Sequence, residues 1–339
     1  MSETSALMDT LRQEGVSPDL LRAVEEYRTA HPLAEALRPR IPSPAFVYYG
    51  REVWEQALAA LLCGENLLLA GGKATGKNVL AENLSAAFGR PAWDISFHVN
   101  MDAASLIGMD TFADGRVEFR PGPVYRCAQC GGFGVLDEIN MAKNEALAVL
   151  HAVLDFRRAI DVPGYERIPL AEETRFIATM NYGYAGTREL NEALTSRFAV
   201  VQMPTITQDN LEKLLRAQFP DLAAKYVHQF ALLFLDLQKK CDSAEISTKA
   251  LDLRGMLDAL RLIRRGIRPG RRWIWASPTR PLTPTSRGSS GTSLPPASRP
   301  SSPPPSSSAE GPPYGSAELH RAGAAGRQSG VGRGRRIRL

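Results

Sequence analysis

The apolar positions of this chain fall into short runs separated by amphipathic stretches. Runs of strand length stand at 66–70, 92–97, 133–136, 175–180 and 198–203. Helical patterns lie between or before them. One covers 51–63 (Val53, Trp54, Ala57, Leu61 on one face), one 77–88 (Val79, Leu80, Leu84), and one 144–157 (Leu147, Leu150, Leu154). Strands apolar on both faces, alternating with amphipathic helices, predict a parallel sheet covered on two sides, so the fold class is α/β. From 206 to 268 the pattern turns all-helical, with Leu253, Met256, Leu257, Leu260 and Ile263 on one helix face, and predicts a small helical lid. Residues 1–44 are polar with scattered Leu and Val, end in Pro39, Pro42 and Pro44, and predict a short helical extension. The chain thus divides into an extension (1–44), an α/β core (45–205), a lid (206–268) and a tail (269–339).

Composition changes this picture mainly at the tail. Residues 271–339 hold eleven Arg, no Lys and two acids, Glu310 and Glu318, for a net charge of +9. The other 270 residues carry 30 basic and 34 acidic side chains, so the overall +5 hides a mildly acidic folded part. A basic chain invites a nucleic-acid partner. Here the basic character sits outside the core, and no aromatic–basic interleaving marks the turns, so nucleic acid is not the expected partner. The tail also holds eleven of the 24 prolines and thirteen serines, a composition that cannot bury enough surface to offset its chain entropy. It reads either as a disordered, Arg-rich binding tail or as a frameshifted translation. Plausible GC-rich codons for 271–285, read in another frame, spell an ordinary continuation of a folded domain.

No run of eighteen apolar residues is present, which argues against a membrane span. The start Met1-Ser2-Glu3-Thr4 has no basic region leading into an apolar stretch, which predicts a cytoplasmic protein without a secretory signal. Of the four cysteines, Cys63, Cys127, Cys130 and Cys241, only Cys127 and Cys130 form a CxxC. A zinc site wants a second pair at matching spacing, so these two read as small residues on a helix before a buried strand.

The strongest chemical signal is Gly71-Gly72-Lys73-Ala74-Thr75-Gly76-Lys77-Asn78, which follows an apolar strand and opens a helix through Val79. Glycines let the backbone curl so that successive N–H groups face phosphates, and the helix N-terminus adds partial positive charge. Lys77 is placed to reach the β- and γ-phosphates of ATP. The last motif position carries Asn78 where Ser or Thr normally ligates Mg²⁺; an amide oxygen also suits a hard cation. Taken alone, the motif also admits a ligand-free Gly-rich turn. A second signal, Phe133-Gly134-Val135-Leu136-Asp137-Glu138, is an apolar strand ending in two acids. There Asp137 would hold Mg²⁺ and Glu138 would polarise the attacking water. The run 175–180 delivers Asn181 at its end, where a polar side chain could position water near the γ-phosphate. Arg197 precedes the last apolar run, where it could act on a neighbouring subunit's nucleotide, although a lone Arg is more often a surface charge.

In that order and spacing, these motifs resemble an AAA+ ATPase. The segments 134–155 (GVLDEINMAKNEALAVLHAVLD), 178–198 (ATMNYGYAGTRELNEALTSRF) and 99–112 (VNMDAASLIGMDTF) resemble the MoxR-like branch, including its NorQ and CbbQ type. The resemblance spans about residues 45 to 268. It implies a P-loop core whose five-stranded parallel sheet runs in the order 5-1-4-3-2, ring assembly (usually hexameric), and ATP-driven remodelling of other proteins. It also implies a partner bearing a von Willebrand A domain, often in the maturation of metal-dependent enzymes or complexes. By the same resemblance Asn181 takes the sensor-1 position and Arg197 the arginine-finger position, while Lys249 and Arg254 both stand where a sensor-2 residue is expected. Two hairpins are expected, around Asp114-Gly115 and around Val162-Pro163-Gly164-Tyr165; in related ATPases such insertions contact clients, and otherwise they are simply exposed turns. Two departures, Asn78 and the Pro/Ser-rich end in place of further lid helices, favour a second reading: a nucleotide-binding scaffold with little hydrolysis.

Overall fold

A computed structural model describes residues 3–266, apart from 114, 162–166, 183–188, 244 and 247–251. Asp114, the turn at 162–165, Lys249 and the tail 269–339 therefore lie outside the described residues. The helices are α1 (Glu3–Gln13), α2 (Pro18–Ala30), α3 (Arg51–Leu62), α4 (Lys77–Phe88), α5 (Ala103–Ile107), α6 (Pro123–Gln129), α7 (Asn144–Leu147), α8 (Leu150–Leu154), α9 (Glu192–Thr195), α10 (Gln208–Gln218), α11 (Ala224–Asp242) and α12 (Leu253–Arg264). The strands are β1 (Leu67–Gly71), β2 (Ala92–Ser96), β3 (Gly108–Ala113), β4 (Arg116–Pro121), β5 (Phe133–Asp137), β6 (Ala159–Ile160), β7 (Ile168–Pro169), β8 (Arg175–Asn181) and β9 (Ala199–Met203).

Five strands form one parallel sheet in the order β2-β5-β8-β1-β9. With only these core strands numbered along the chain and read from the β9 edge, this is the expected order 5-1-4-3-2. Successive side chains of a strand point to opposite faces, and both faces are dry. Leu67 and Leu69 of β1 join one apolar cluster with Phe133, Val135, Ile177 and the α4 residues Leu80 and Leu84. Leu68 and Ala70 join the other, with Trp93, Leu136, Phe176, Ala178 and α6. All five parallel strands thus end on the same side, where the loops that follow them converge.

The N-terminal helices are part of this core. Leu7, Met8, Leu11, Leu21 and Val24 of α1 and α2 are buried in the same cluster as Trp54 and Phe88. Arg90 reinforces the seam by donating to the carbonyl oxygens of His31 and Gly131. Leu11 is fully buried, so Leu11→Ala is expected to lower the unfolding free energy by about 2–5 kcal/mol in urea titration.

One helix departs from its sequence reading. The pattern over 144–157 predicts a single helix, yet α7 and α8 are separate. The backbone stays right-handed through Ala148 and Val149, but the His151 N–H bonds the Ala148 oxygen three residues back, a 3₁₀-type tightening. The second piece ends at Leu154 because the Asp155 carboxylate captures the Arg157 N–H at 3.0 Å. Leu147, Leu150 and Leu154 are buried together all the same, so the apolar spacing signalled packing rather than helix continuity.

Between β2 and β5 the chain makes the antiparallel β3–β4 hairpin. At its base Gly108 has φ +135°, and a Cβ there would come within 2.5 Å of the Arg120 carbonyl oxygen. Phe119 anchors the hairpin against Tyr125 of α6, with ring centroids 5.3 Å apart. Toward the tip, Phe112 and Val117 face each other across the strands and are 77% and 65% exposed. Along the chain, the antiparallel β6–β7 pair falls between β5 and β8.

Helices α10, α11 and α12 build a third cluster around Leu211, Leu215, Val227, Phe234, Met256 and Leu260. The strap 45–50 joins it to the core. Phe46 and Tyr49 pack on the helical cluster, while Tyr48 is buried with the α/β core. The strap is fastened by Asn83 of α4, which accepts from the Tyr48 N–H at 2.9 Å and donates to the Phe46 oxygen at 2.8 Å.

Candidate nucleotide site

The loop after β1 turns sharply before α4. Gly76 (φ +84°) and Ala74 (φ +63°) are both left-handed, a conformation that costs a non-glycine residue such as Ala74. Lys77 opens α4, and its ammonium folds back over the loop. It donates to the carbonyl oxygens of Gly71 at 3.1 Å and Gly72 at 2.6 Å, and to Thr75 Oγ1 at 3.2 Å. Burial pushes the Lys77 pKa down to about 8, opposed by the negative charges of Asp137 and Glu138. The lysine therefore senses both members of the acid pair. Lys73 and Asn78 are exposed, and Val79 is half-buried.

The acid pair follows β5 directly. Thr179 of β8, 1% exposed, donates its hydroxyl proton to Asp137 Oδ1 at 2.6 Å and accepts the Glu138 N–H at 3.0 Å. Glu138 itself is left-handed (φ 55°). Its Oε1 accepts from Asn181 Nδ2 at 3.2 Å. Asn181 lies opposite Gly71 across the β1–β8 ladder, so the start of the glycine-rich turn and the strand-end amide are neighbours. Asn140 is buried behind them, donating to the Asn181 carbonyl oxygen at 3.0 Å. Lys77, Asp137, Glu138 and Asn181 are thus gathered at the ends of three adjacent strands. That is an arrangement able to neutralise phosphate charge beside a carboxylate that can take a proton from water. Thr179 and Asn140 escape a sequence reading: each looks like ordinary filling, and only the strand register shows what it touches.

Arg197 is not part of this gathering. It precedes β9, whose Ala199 pairs with Leu67 at the start of β1, whereas the glycine-rich turn follows Gly71 at its end. At about 3.3 Å per residue, that separates Arg197 from its own turn by roughly 15–20 Å along the strands. Its guanidinium lies 3.5 Å from Asp155 Oδ2, and among the described residues its Nε is buried without a hydrogen-bond partner. Asp155 also takes the Arg157 guanidinium on both oxygens, and these bonds, with Arg197 adding charge, hold its pKa down at about 2. Arg254 stands in the first turn of α12, exposed, its N–H capped by Asp252 at 3.1 Å. Cys127 is buried in α6, which pushes its thiol pKa up. Among the described residues, no helix is long and apolar enough to cross a membrane.

A glycine-rich turn whose lysine opens a helix beside a strand-end acid pair defines a P-loop nucleotide-binding protein. The family profile described as AAA domain (dynein-related subfamily) matches residues 66–198. YojN of Bacillus subtilis is 32% identical over 263 residues, 76% of this chain and 85% of that protein. A Staphylococcus haemolyticus protein is 34% identical over 224 residues, covering 64% and 85% of the two chains. A Staphylococcus aureus protein is 36% identical over 217 residues, covering 62% and 82%. The chain belongs to this AAA domain family and is a nucleotide-binding member of the AAA+ ATPases.

Proposed function

We propose that this protein is a MoxR-like ATPase that hydrolyses ATP as a ring and acts as a chaperone-like remodeller of a partner protein in the cytoplasm. The observation that carries the proposal is the convergence of Lys77, Asp137, Glu138 and Asn181 at the ends of neighbouring strands. The turn 71–78, continued by Val79, binds the phosphates through backbone N–H groups. Lys77, which folds onto the carbonyl oxygens of Gly71 and Gly72, exchanges them for β- and γ-phosphate oxygens. Glu138 orients and polarises the attacking water, and Asn181 fixes the Glu138 carboxylate through its 3.2 Å bond. Arg197, too far from its own turn, stabilises the charge developing on a neighbouring copy's phosphoryl group. Arg254 and Lys249 are the candidates for a lid residue reaching the nucleotide.

The donor chemistry fits Mg²⁺. A carboxylate and an amide oxygen are hard ligands, and Asp137 Oδ2 takes no hydrogen bond among the described residues. Asp137, with Asn78, would hold the ion, which supplies neutralisation of phosphate charge when bound. Because Asn78 is exposed beside the turn, restoring a hydroxyl with Asn78→Thr is expected to lower the Mg²⁺ concentration giving half-maximal turnover severalfold. An unchanged Mg²⁺ profile would mean that position 78 does not meet the metal.

The partner proposed is one bearing a von Willebrand A domain, in the maturation of a metal-dependent enzyme or complex. The exposed Phe112–Val117 pair on the β3–β4 hairpin offers a client contact. Mass measurement of the full chain, with and without ATP·Mg²⁺, tests assembly. The wild type is expected to form a closed ring with the mass of a hexamer only when nucleotide is bound, and Lys77→Ala to stay smaller. The second reading, a nucleotide-gated scaffold, draws on Asn78; it predicts a ring that binds ATP without releasing phosphate.

A further inference from the structure

We propose that Thr179 is a positioning residue that couples the metal-binding carboxylate to the hydrolytic glutamate. The inference rests on the ATPase reading above. Thr179 lies on β8 between β1 and β5, opposite Leu69 on one side and one register step beyond the Leu136–Ala178 pair on the other. Alternation puts it on the face that carries Ile177, the face packed against α4. A hydroxyl this deeply buried is costly unless it is bonded. Here both of its bonds go to the acid pair.

The direction of those bonds is fixed by proton inventory. The Glu138 backbone N–H can only donate, so Thr179 Oγ1 accepts there, at 3.0 Å. Its single proton is then committed to Asp137 Oδ1, at 2.6 Å. One side chain therefore does two things at once. It fixes the Asp137 carboxylate with Oδ1 occupied and Oδ2 turned to other ligands, and it pins the left-handed peptide that presents Glu138 (φ 55°). Asn181, two residues along the same strand face, then holds the Glu138 carboxylate itself. The strand β8 thus delivers a paired control, Thr179 on the backbone and metal ligand, Asn181 on the side chain. A residue with only a packing role would need no hydroxyl, and Val would serve as well at this buried strand position.

The test compares Thr179→Val and Thr179→Ser in the full-length protein by three readouts: ATP turnover, fluorescent ATP-analogue binding in EDTA, and the Mg²⁺ concentration that half-saturates the Mg²⁺-dependent change in that fluorescence. Val keeps the shape and removes the hydroxyl; Ser keeps the hydroxyl. The proposal expects Thr179→Val to lower kcat by about tenfold or more, with metal-free analogue binding within about twofold of wild type. The half-saturating Mg²⁺ concentration rises severalfold, and Thr179→Ser restores both quantities. A Val variant with wild-type kcat and Mg²⁺ midpoint overturns the proposal. So does a Val variant that loses metal-free binding in proportion to turnover, or a Ser variant as impaired as Val, since both outcomes describe a structural residue. If the wild type binds the analogue but releases no phosphate, the ATPase reading fails. The Mg²⁺ midpoint then still decides the coupling of Thr179 to Asp137: a shift sustains that half of the inference, and no shift ends it.

Discussion

Replacing Glu138 by Gln is expected to cut ATP turnover by about a hundredfold or more while leaving ATP bound. The amide preserves the size of the side chain and an oxygen for Asn181 Nδ2, which now reaches Glu138 Oε1 at 3.2 Å. The Thr179 bond goes to the Glu138 backbone N–H, so it survives the change. What disappears is the negative charge and basicity that the proposed mechanism sets against the attacking water. Phosphate release and fluorescent-nucleotide binding, measured side by side, check this. Loss of binding together with turnover would show a disturbed site rather than a missing base.

Arg197→Ala is expected to lower turnover by about 10³-fold, the size of effect an arginine finger supplies, again without loss of nucleotide binding by the isolated subunit. The parallel pairing of β1 and β9 sets Arg197 at the start of the strands and the glycine-rich turn at their end. A side chain cannot bridge that span within one copy, so the proposed effect falls on another copy's nucleotide. In the isolated chain the guanidinium rests 3.5 Å from Asp155 Oδ2. Asp155 keeps its Arg157 partner after the substitution, so little collateral unfolding is expected. Arg197→Lys should rescue poorly, because an ammonium lacks the planar fork that grips phosphoryl oxygens.

Much of the core was legible because its signals are local. Strand-length apolar runs bounded the five sheet strands to within a residue, and the helix read over 77–88 coincides with α4. The glycine-rich turn and the acid pair announce themselves through residue type and spacing, and the structure brings Lys77 and both acids within electrostatic reach. Other features depend on chain pairing between distant segments, which periodicity cannot report. Thr179 reads as one more β-branched strand residue until the register sets it beside Asp137. Asn140 follows the acid pair as an unremarked polar residue until it is found under Asn181. Asp155 and Arg197 are 42 positions apart in sequence and meet only through tertiary packing. The N-terminal helices carried too few apolar residues to signal burial, yet Leu11 and Val24 are fully enclosed because α3 and α4 supply the other side of the contact.

The most direct test of the central claim mixes two inactive proteins. A Glu138→Gln subunit retains the proposed finger, Arg197, but lacks the proposed base; an Arg197→Ala subunit retains Glu138 but lacks Arg197. Each is measured alone for ATP turnover, and the two are then mixed in equal amounts with ATP·Mg²⁺. Turnover is expected to reappear on mixing, because some interfaces then join an intact Glu138 to an intact Arg197 from the neighbouring copy. A mixture as inactive as its components, formed from subunits that do assemble, would contradict hydrolysis at a site shared between copies.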